Sequence, residues 1–173
     1  MTNLGFNLRR ALVVAAWLVF TGASPAPPGL EQQILAAHNS ERRALGLPPL
    51  EWSAELATGA RQWSEELAAT GRFEHSRDAP GQRRLGENIW GGTPGAFRPE
   101  RMVRAWIAEK RFYRPGVFPS NSTTGKVQDV SHYTQVIWRT TVEVGCGLSR
   151  SESEEILVCR YSGPGNVIGS SPV

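Results

Sequence analysis

Residues 131–141 constrain the fold of this chain more than any other segment, and they read SHYTQVIWRTT. The segment combines β-branched and aromatic residues and contains no Gly or Pro, a composition typical of a β-strand. Alternation along such a strand would place His132 on the same face as Val136 and Trp138. The pattern therefore predicts a central strand whose buried face begins with a histidine. Taken alone, it favours a hydrogen-bonded His132 at the edge of the core.

The first 26 residues have the pattern of a secretory signal peptide followed by a short linker. Arg9 and Arg10 precede an apolar run of about ten residues, and the small residues up to Ala23 offer a cleavage site. A span across a bilayer needs roughly 20 apolar residues, so we expect no stable membrane anchor. The chain is predicted to be secreted and extracellular, or periplasmic if its source is a Gram-negative bacterium.

Residues 27–173 are long enough for one domain with a substantial core. The whole chain has 173 residues and a formal charge of +3, with 19 basic and 16 acidic side chains. Arg9 and Arg10 belong to the leader, so the remainder carries 17 basic against 16 acidic side chains. Such a balance leaves no electrostatic footprint for a nucleic acid. We therefore expect no nucleic-acid partner.

Two early segments show helical periodicity. The first begins near Leu30 and ends before Gly46, and His38 inside it is predicted to be structural. The second has Ser53 as N-cap, extends to about Thr70 and stops at Gly71. Its apolar face, which we predict to lie in the core, consists of Leu56, Ala60, Trp63 and Leu67.

A third helix is predicted from Pro99 to about Phe112, with Pro in the first turn where it is tolerated. Its apolar stripe includes Met102, Val103, Trp106 and Ile107, and Glu109 falls on or beside that stripe. An ionised carboxylate is rarely buried without a partner. Glu109 is therefore either part of a site or an edge residue that pairs with Arg or reaches solvent, and the pattern leaves both open.

Near the C-terminus, residues 142–148 and 155–161 form a predicted β-hairpin around a polar turn. If the hairpin is symmetric about Glu152 and Ser153, Cys146 and Cys159 lie directly opposite each other. Opposed residues of an antiparallel pair are within disulfide range. Because these are the two cysteines of an apparently exported chain, we predict one disulfide between them.

Two long motifs resemble a known family. The segment 131–141 is similar to the first signature of the CAP superfamily, and 156–166, ILVCRYSGPGN, is similar to the second, with Gly163 in place of the usual larger residue. The superfamily includes cysteine-rich secretory proteins, insect venom antigens and plant pathogenesis-related proteins. The resemblance extends from about Leu30 to the end, and it identifies residues 27–173 as an SCP-like domain. It implies an α+β fold, an α–β–α sandwich with a small antiparallel sheet between helical layers.

The resemblance also implies a central cleft with two histidines and two glutamates. Matched motif by motif, these are His75, Glu87, Glu109 and His132. Two imidazoles can bind Zn²⁺ or another divalent metal, so His75 and His132 are the predicted metal ligands. A carboxylate that accepts a ring N–H would orient each histidine. The family also places a disulfide at the positions of Cys146 and Cys159.

The leading functional hypothesis is a secreted, non-enzymatic binding module that holds a metal in this cleft. The family implies an apolar groove for a lipid or sterol, or an extracellular protein partner. One alternative is a metal-dependent, peptidase-like hydrolase with Glu87 or Glu109 as base. Hydrolytic metal sites normally use three protein ligands, and the sequence contains no Gly-x-Ser-x-Gly elbow. A second alternative is an interaction protein whose four cleft residues only stabilise the fold.

Overall fold

The computed structural model describes residues 28–77, 81 and 83–173, so the predicted signal peptide lies outside the described residues. The elements along the chain are α1 (Leu30–Ala44), β1 (Glu51–Trp52), α2 (Ala54–Thr70), β2 (Gly86–Gly92), α3 (Pro99–Ile107), a 3₁₀ helix (Ala108–Phe112), a second 3₁₀ helix (Val127–Asp129), α4 (Ser131–Val136), β3 (Glu143–Arg150) and β4 (Glu155–Ser162). Within the part of the chain that is described, no helix is long and apolar enough to cross a membrane.

The four strands form one sheet in the order β1-β3-β4-β2. The β3–β4 hairpin is antiparallel and pairs Cys146 with Cys159, as the sequence predicts, and a disulfide joins them across a Cα–Cα distance of 4.1 Å. Strand β2 is also antiparallel to β4. The two-residue β1 instead runs parallel to β3 at Glu51 and Trp52. The sheet is therefore mixed, and the predicted antiparallel arrangement holds for three of its strands.

Helices cover both faces of the sheet, which confirms the predicted sandwich. Alternation along β4 sends Ile156 and Val158 towards α2, and Leu157, Cys159 and Tyr161 towards the other face. On that second face the core is built from α1, α3 and α4, through residues such as Ile34, Met102, Trp106, Tyr133 and Val136. Each helical layer thus has its own apolar cluster.

Glycines let α2 approach the sheet closely. Gly145 and Gly147 of β3 point towards α2, whereas Cys146 between them points away. A Cβ atom at Gly145 would collide with the backbone of Ala57, and one at Gly147 with the backbone of Arg61. Larger residues at these two positions would push the helix off the sheet.

The three predicted helices are present. Ser53 caps α2 through a hydrogen bond of 3.4 Å from the Leu56 amide to its hydroxyl, and Gly71 ends the helix with a φ of 66°. The third predicted helix is regular only to Ile107, after which the chain tightens into the 3₁₀ helix that ends at Phe112. Glu109 lies in this 3₁₀ helix and reaches His132, whose ring stacks on Trp106 of the apolar stripe.

The predicted central strand at 131–141 is wrong, because its first six residues form helix α4. Distant side chains stabilise the two ends of this helix. A carboxylate oxygen of Glu109 accepts hydrogen bonds from the amides of His132 and Tyr133, at 3.0 and 3.1 Å. At the other end, the guanidinium of Arg42 donates to the carbonyl oxygens of Val136 and Trp138. Residues 133–138 are all buried, so an alternating pattern of side chains in this segment cannot distinguish a buried face from an exposed one.

Candidate functional site

His75 and Glu87 form the first histidine–glutamate pair. His75 lies in the segment after α2, and Glu87 is the second residue of β2. The ring Nδ1 is 2.9 Å from Oε1 of Glu87, which also accepts from the Ser76 amide. The other oxygen, Oε2, accepts from the Ser76 hydroxyl at 2.6 Å and from Nε of Arg160 at 3.4 Å. Four donors therefore hold one carboxylate, whose side chain is 8% exposed while that of His75 is 62% exposed.

The same hydrogen bonds set the protonation of this pair. The hydrogen bond to Glu87 raises the pKa of His75 above its ordinary value, against the opposing effect of partial burial. Burial acts to raise the pKa of Glu87, but hydrogen bonds from His75 and Ser76 outweigh it, so that pKa is lowered. Glu87 is consequently ionised at neutral pH. The charged carboxylate keeps the ring proton of His75 on Nδ1.

His132 and Glu109 form the second pair. His132 is the second residue of α4, and its Nδ1 lies 2.6 Å from Oε1 of Glu109. The Trp106 ring stacks on the His132 ring with 6.2 Å between centroids and 15° between planes. Glu109 thus orients His132 and caps the helix that carries it. The hydrogen-bond partners of Glu109 are an imidazole and two amides and not an arginine, and its side chain remains 20% exposed to solvent.

Asn88 connects the two pairs, a role that the sequence analysis missed. It follows Glu87 in β2, is buried, and donates from Nδ2 to the carbonyl oxygen of His132 at 3.1 Å. The same amide donates to the hydroxyl of Tyr161 at 3.3 Å. Because consecutive strand residues point to opposite faces, Glu87 lies on the α2 side of the sheet and Asn88 on the α4 side. One strand therefore holds both histidines.

Each ring leaves one nitrogen for a ligand. Since Nδ1 donates to a carboxylate in both pairs, Nε2 carries the lone pair, and neither Nε2 has a hydrogen-bond partner among the described residues. Neutral imidazole nitrogen is a good ligand for Zn²⁺. The donor set is small, however, because the described residues contain no group of three or more His, Cys, Asp or Glu that could hold a metal.

A cleft of about 310 Å³ opens beside the first pair. Its lining is largely polar and cationic: His75, Ser76, Arg77, Arg83, Arg84, Leu85, Gly86, Glu87, Gln135, Arg160, Pro164, Gly165 and Asn166. His132 and Glu109 are not among these lining residues. The structure brings each histidine to its glutamate, and the sharing of one cleft by all four residues stays a prediction.

Comparison with known proteins decides the family. The sequence model of the cysteine-rich secretory protein family, CAP, matches residues 35–161, which is well over half of the chain. The chain belongs to the CAP family. It is 36% identical to pathogenesis-related protein 1C of Nicotiana tabacum over 143 residues, covering 82% of this chain and 80% of that protein. It is 33% identical to pathogenesis-related protein PRMS of Zea mays over 168 residues, covering 92% and 95%.

Solved structures share the fold of this CAP domain. The crystal structure of NaASP2 with Zn²⁺ superposes with a TM-score of 0.67 at 24% identity, covering 82% of this chain and 83% of that one. BmVAL-1 gives a TM-score of 0.65 at 22% identity, covering 84% and 82%. At these identities the likeness shows the α–β–α architecture alone.

The serine beside the first histidine of this CAP domain is engaged elsewhere, because the Ser76 hydroxyl donates to Glu87 at 2.6 Å. At Ser131 it is the backbone carbonyl oxygen that accepts from the Asn166 amide, at 2.9 Å. Among the described residues, no serine hydroxyl is hydrogen-bonded to His75 or His132. A serine nucleophile needs a base within hydrogen-bond reach. In the described part of the chain, neither histidine therefore has a serine hydroxyl paired with it.

Proposed function

We propose that this chain is an exported, non-enzymatic binding protein in which His75 and His132 hold a divalent metal such as Zn²⁺. One observation carries the proposal: each ring is fixed through Nδ1 by a glutamate, which leaves Nε2 as the only lone pair. A carboxylate behind an imidazole orients the ring and increases its basicity towards a metal. The crystal structure of NaASP2 with Zn²⁺, a protein of the same fold, supports the choice of metal.

The engagement of both glutamates favours binding over hydrolysis. The carboxylate of Glu87 accepts four hydrogen bonds and that of Glu109 accepts three. A general base must take a proton from water or substrate, and neither carboxylate has an uncommitted oxygen. Two ring nitrogens are also fewer than the three protein ligands typical of hydrolytic zinc sites. A metal-dependent hydrolase is therefore the weaker candidate.

Export is supported by three independent features. The leader has the order of a signal peptide, with basic residues, an apolar run and small residues. The matching family is described as secretory. The disulfide between Cys146 and Cys159 suits an oxidising compartment. We propose an extracellular location, or the periplasm if the source is a Gram-negative bacterium.

A lipid or sterol ligand and an extracellular protein partner stay predictions that rest on the family resemblance. The cleft beside His75 includes four arginines among its lining residues. Such a lining fits an anionic or polar group better than the ring system of a sterol. Mass spectrometry of organic extracts of the purified protein tests the lipid prediction directly.

Zinc titration by calorimetry at about pH 7.5 tests the metal site. We expect stoichiometric binding by the wild type and loss of binding in the His75→Ala/His132→Ala double variant. His38→Gln serves as the control, because it changes the remaining histidine of the chain, which lies in the core. A folded wild type that binds no zinc would contradict the proposal and leave a structural role for the four residues.

A peptidase assay on the zinc-loaded protein separates binding from hydrolysis. We expect no turnover of casein or of a mixed peptide substrate. Turnover that disappears in Glu87→Gln or Glu109→Gln while calorimetry still detects zinc would establish the hydrolase instead. Turnover that persists in both variants would indicate a contaminating peptidase.

A further inference from the structure

The outer side of α3 and of the 3₁₀ helix after it is strongly cationic. Between Arg98 and Arg114 the chain contains six basic and two acidic residues. Outside this segment and the leader, the balance reverses to 11 basic and 14 acidic residues. A protein of nearly neutral composition thus concentrates its positive charge on one short stretch. We call its exposed arginines Arg98, Arg101, Arg104 and Arg111 the arginine face.

The helical spacing aligns these arginines along one side. Positions three apart lie on neighbouring turns of the same side of a helix, and the opposite side of α3 is buried through Met102, Val103 and Trp106. Two open grooves run along the exposed side. One is lined by Phe97, Arg98, Arg101 and Arg104, among others, and the second by Arg104, Ile107, Lys110 and Arg111 together with Ala108 and Glu41. Arg104 borders both grooves, so the two adjoin along the helix, and we call them together the track.

Most of this charge is not neutralised within the protein. Glu109 turns inward to His132, and Glu100 pairs with Arg98 at 3.1 Å. Arg101 and Arg104 make no side-chain hydrogen bond or ion pair with any described residue. Arg111 lies over the Phe112 ring at 4.6 Å and has no acidic partner there. Three guanidinium groups therefore face solvent with their donors available.

We propose that the arginine face binds a linear polyanion, an acidic polysaccharide that carries carboxylate or sulfate groups. With a rise of 1.5 Å per residue, the row from Arg98 to Arg111 is about 20 Å long and one residue wide. Guanidinium groups bind oxyanions, whether planar carboxylates or tetrahedral groups, through two parallel hydrogen bonds, and a row of them matches anions spaced along a chain. At one end the exposed Phe97 offers a flat ring to the apolar side of a sugar.

A flat anionic membrane fits this surface less well. Peripheral helices that bind membranes bury an apolar face among the lipids. The apolar face of α3 is already used by the core, through Met102, Val103 and Trp106. The narrow track therefore favours a chain-like anion over a bilayer.

The test measures binding to size-defined heparin oligosaccharides and to polygalacturonate oligosaccharides by surface plasmon resonance, at low and at physiological salt. The variant Arg101→Glu/Arg104→Glu reverses two charges of the arginine face. The matched control Arg43→Glu/Arg139→Glu reverses two exposed arginines on other elements, so both variants have the same net charge. We expect at least a tenfold loss of affinity in the first variant, a shallower salt dependence, and less than a twofold change in the control.

Three outcomes would overturn the proposal. These are equal losses in both variants, no binding of either polyanion by the wild type, and binding to phosphatidylserine vesicles without binding to the oligosaccharides. The first would indicate a net-charge effect and the last a membrane surface. Urea unfolding of the Arg101→Glu/Arg104→Glu variant checks that its fold persists, and this check does not depend on whether the histidine pairs bind zinc.

Discussion

Inside the core, Nε2 of His38 lies 2.9 Å from the hydroxyl of Tyr161. The other ring nitrogen, Nδ1, is 2.9 Å from the carbonyl oxygen of Ile34 and must donate to it. Nε2 therefore accepts the Tyr161 proton, which requires a neutral ring. Burial lowers the pKa of His38 to about 4, and the charge of Arg42 acts in the same direction, against the hydrogen bond to Ile34. His38 is thus a core residue, in line with its predicted structural role.

This buried ring predicts a loss of stability in mild acid. The unfolded chain protonates His38 near pH 6.5 and the folded protein only near pH 4, so the stabilisation is complete above pH 6.5 and declines as the pH falls. Between pH 7.5 and pH 5 the contribution of His38 falls by about 2 kcal/mol. His38→Gln keeps a donor and an acceptor but cannot titrate. Urea unfolding at both pH values should show a smaller pH effect in the variant, and equal pH effects would contradict the prediction.

Replacement of the buried Arg42 should strongly lower the free energy of unfolding. Its guanidinium donates to the carbonyl oxygens of Pro48, Val136, Trp138 and Thr141. Burial lowers the pKa of Arg42 to about 10, so it stays charged at neutral pH. Arg42→Met removes these four hydrogen bonds, although the Trp138 carbonyl keeps the Thr141 amide as a donor at 3.2 Å. We expect the variant to lower the free energy of unfolding by about 3 kcal/mol or more. The exposed neighbour provides the control: Arg43→Met should stay within about 0.5 kcal/mol.

The first histidine–glutamate pair predicts a change in titration. Because the hydrogen bond to the charged Glu87 raises the pKa of His75, Glu87→Gln should shift the titration midpoint of His75 to lower pH. NMR of the ring protons measures this midpoint. The control Glu74→Gln removes the same charge from the residue next to His75. Glu74 pairs with Arg72 and not with His75. A similar shift in both variants would mean that charge in the vicinity, and not the hydrogen bond, sets the pKa.

The disulfide predicts a measurable stability difference. Cys146 and Cys159 are 13 positions apart, and the chain-entropy estimate for closing a loop of that size is about 3 kcal/mol. We expect the Cys146→Ser/Cys159→Ser variant to lose about this much free energy of unfolding. Wild type treated with dithiothreitol should show the same loss in urea unfolding. A variant as stable as the oxidised wild type would contradict the prediction, because the disulfide would then not reduce the conformational freedom of the unfolded chain.

Local signals explain which elements could be predicted. Helix α2 has its own cap at Ser53, its own stop at Gly71 and a clear apolar face, and the hairpin has a polar turn between two apolar runs. Helix α4 has no such signals, because its first turn is capped by Glu109 and its last carbonyls are bound by Arg42. Its β-branched residues indicate a strand until those distant partners are known.

The site shows the same division between local and distant information. The two pairs join residues that are 12 and 23 positions apart, and only the resemblance to the CAP superfamily predicts that they belong together. Asn88, Ser76 and Arg160 support the pairs through contacts with α4, with the segment after α2 and with β4, which form only when the chain folds. Strand β2 is itself hidden in the sequence, because three of its seven residues are glycines and it is covered on both faces.

Because β2 lies at the edge of the sheet, a ligand shared by the two histidines would connect the helical layers on its two faces. His75 follows α2 and reaches Glu87 on one side of this strand, while His132 belongs to α4 and is held by Asn88 from the opposite side. A ligand that bridges the two rings would cross-link the two helical layers around the edge of the sheet. Separation of the layers would then require dissociation of the ligand, and amide hydrogen exchange in β2 would slow on binding.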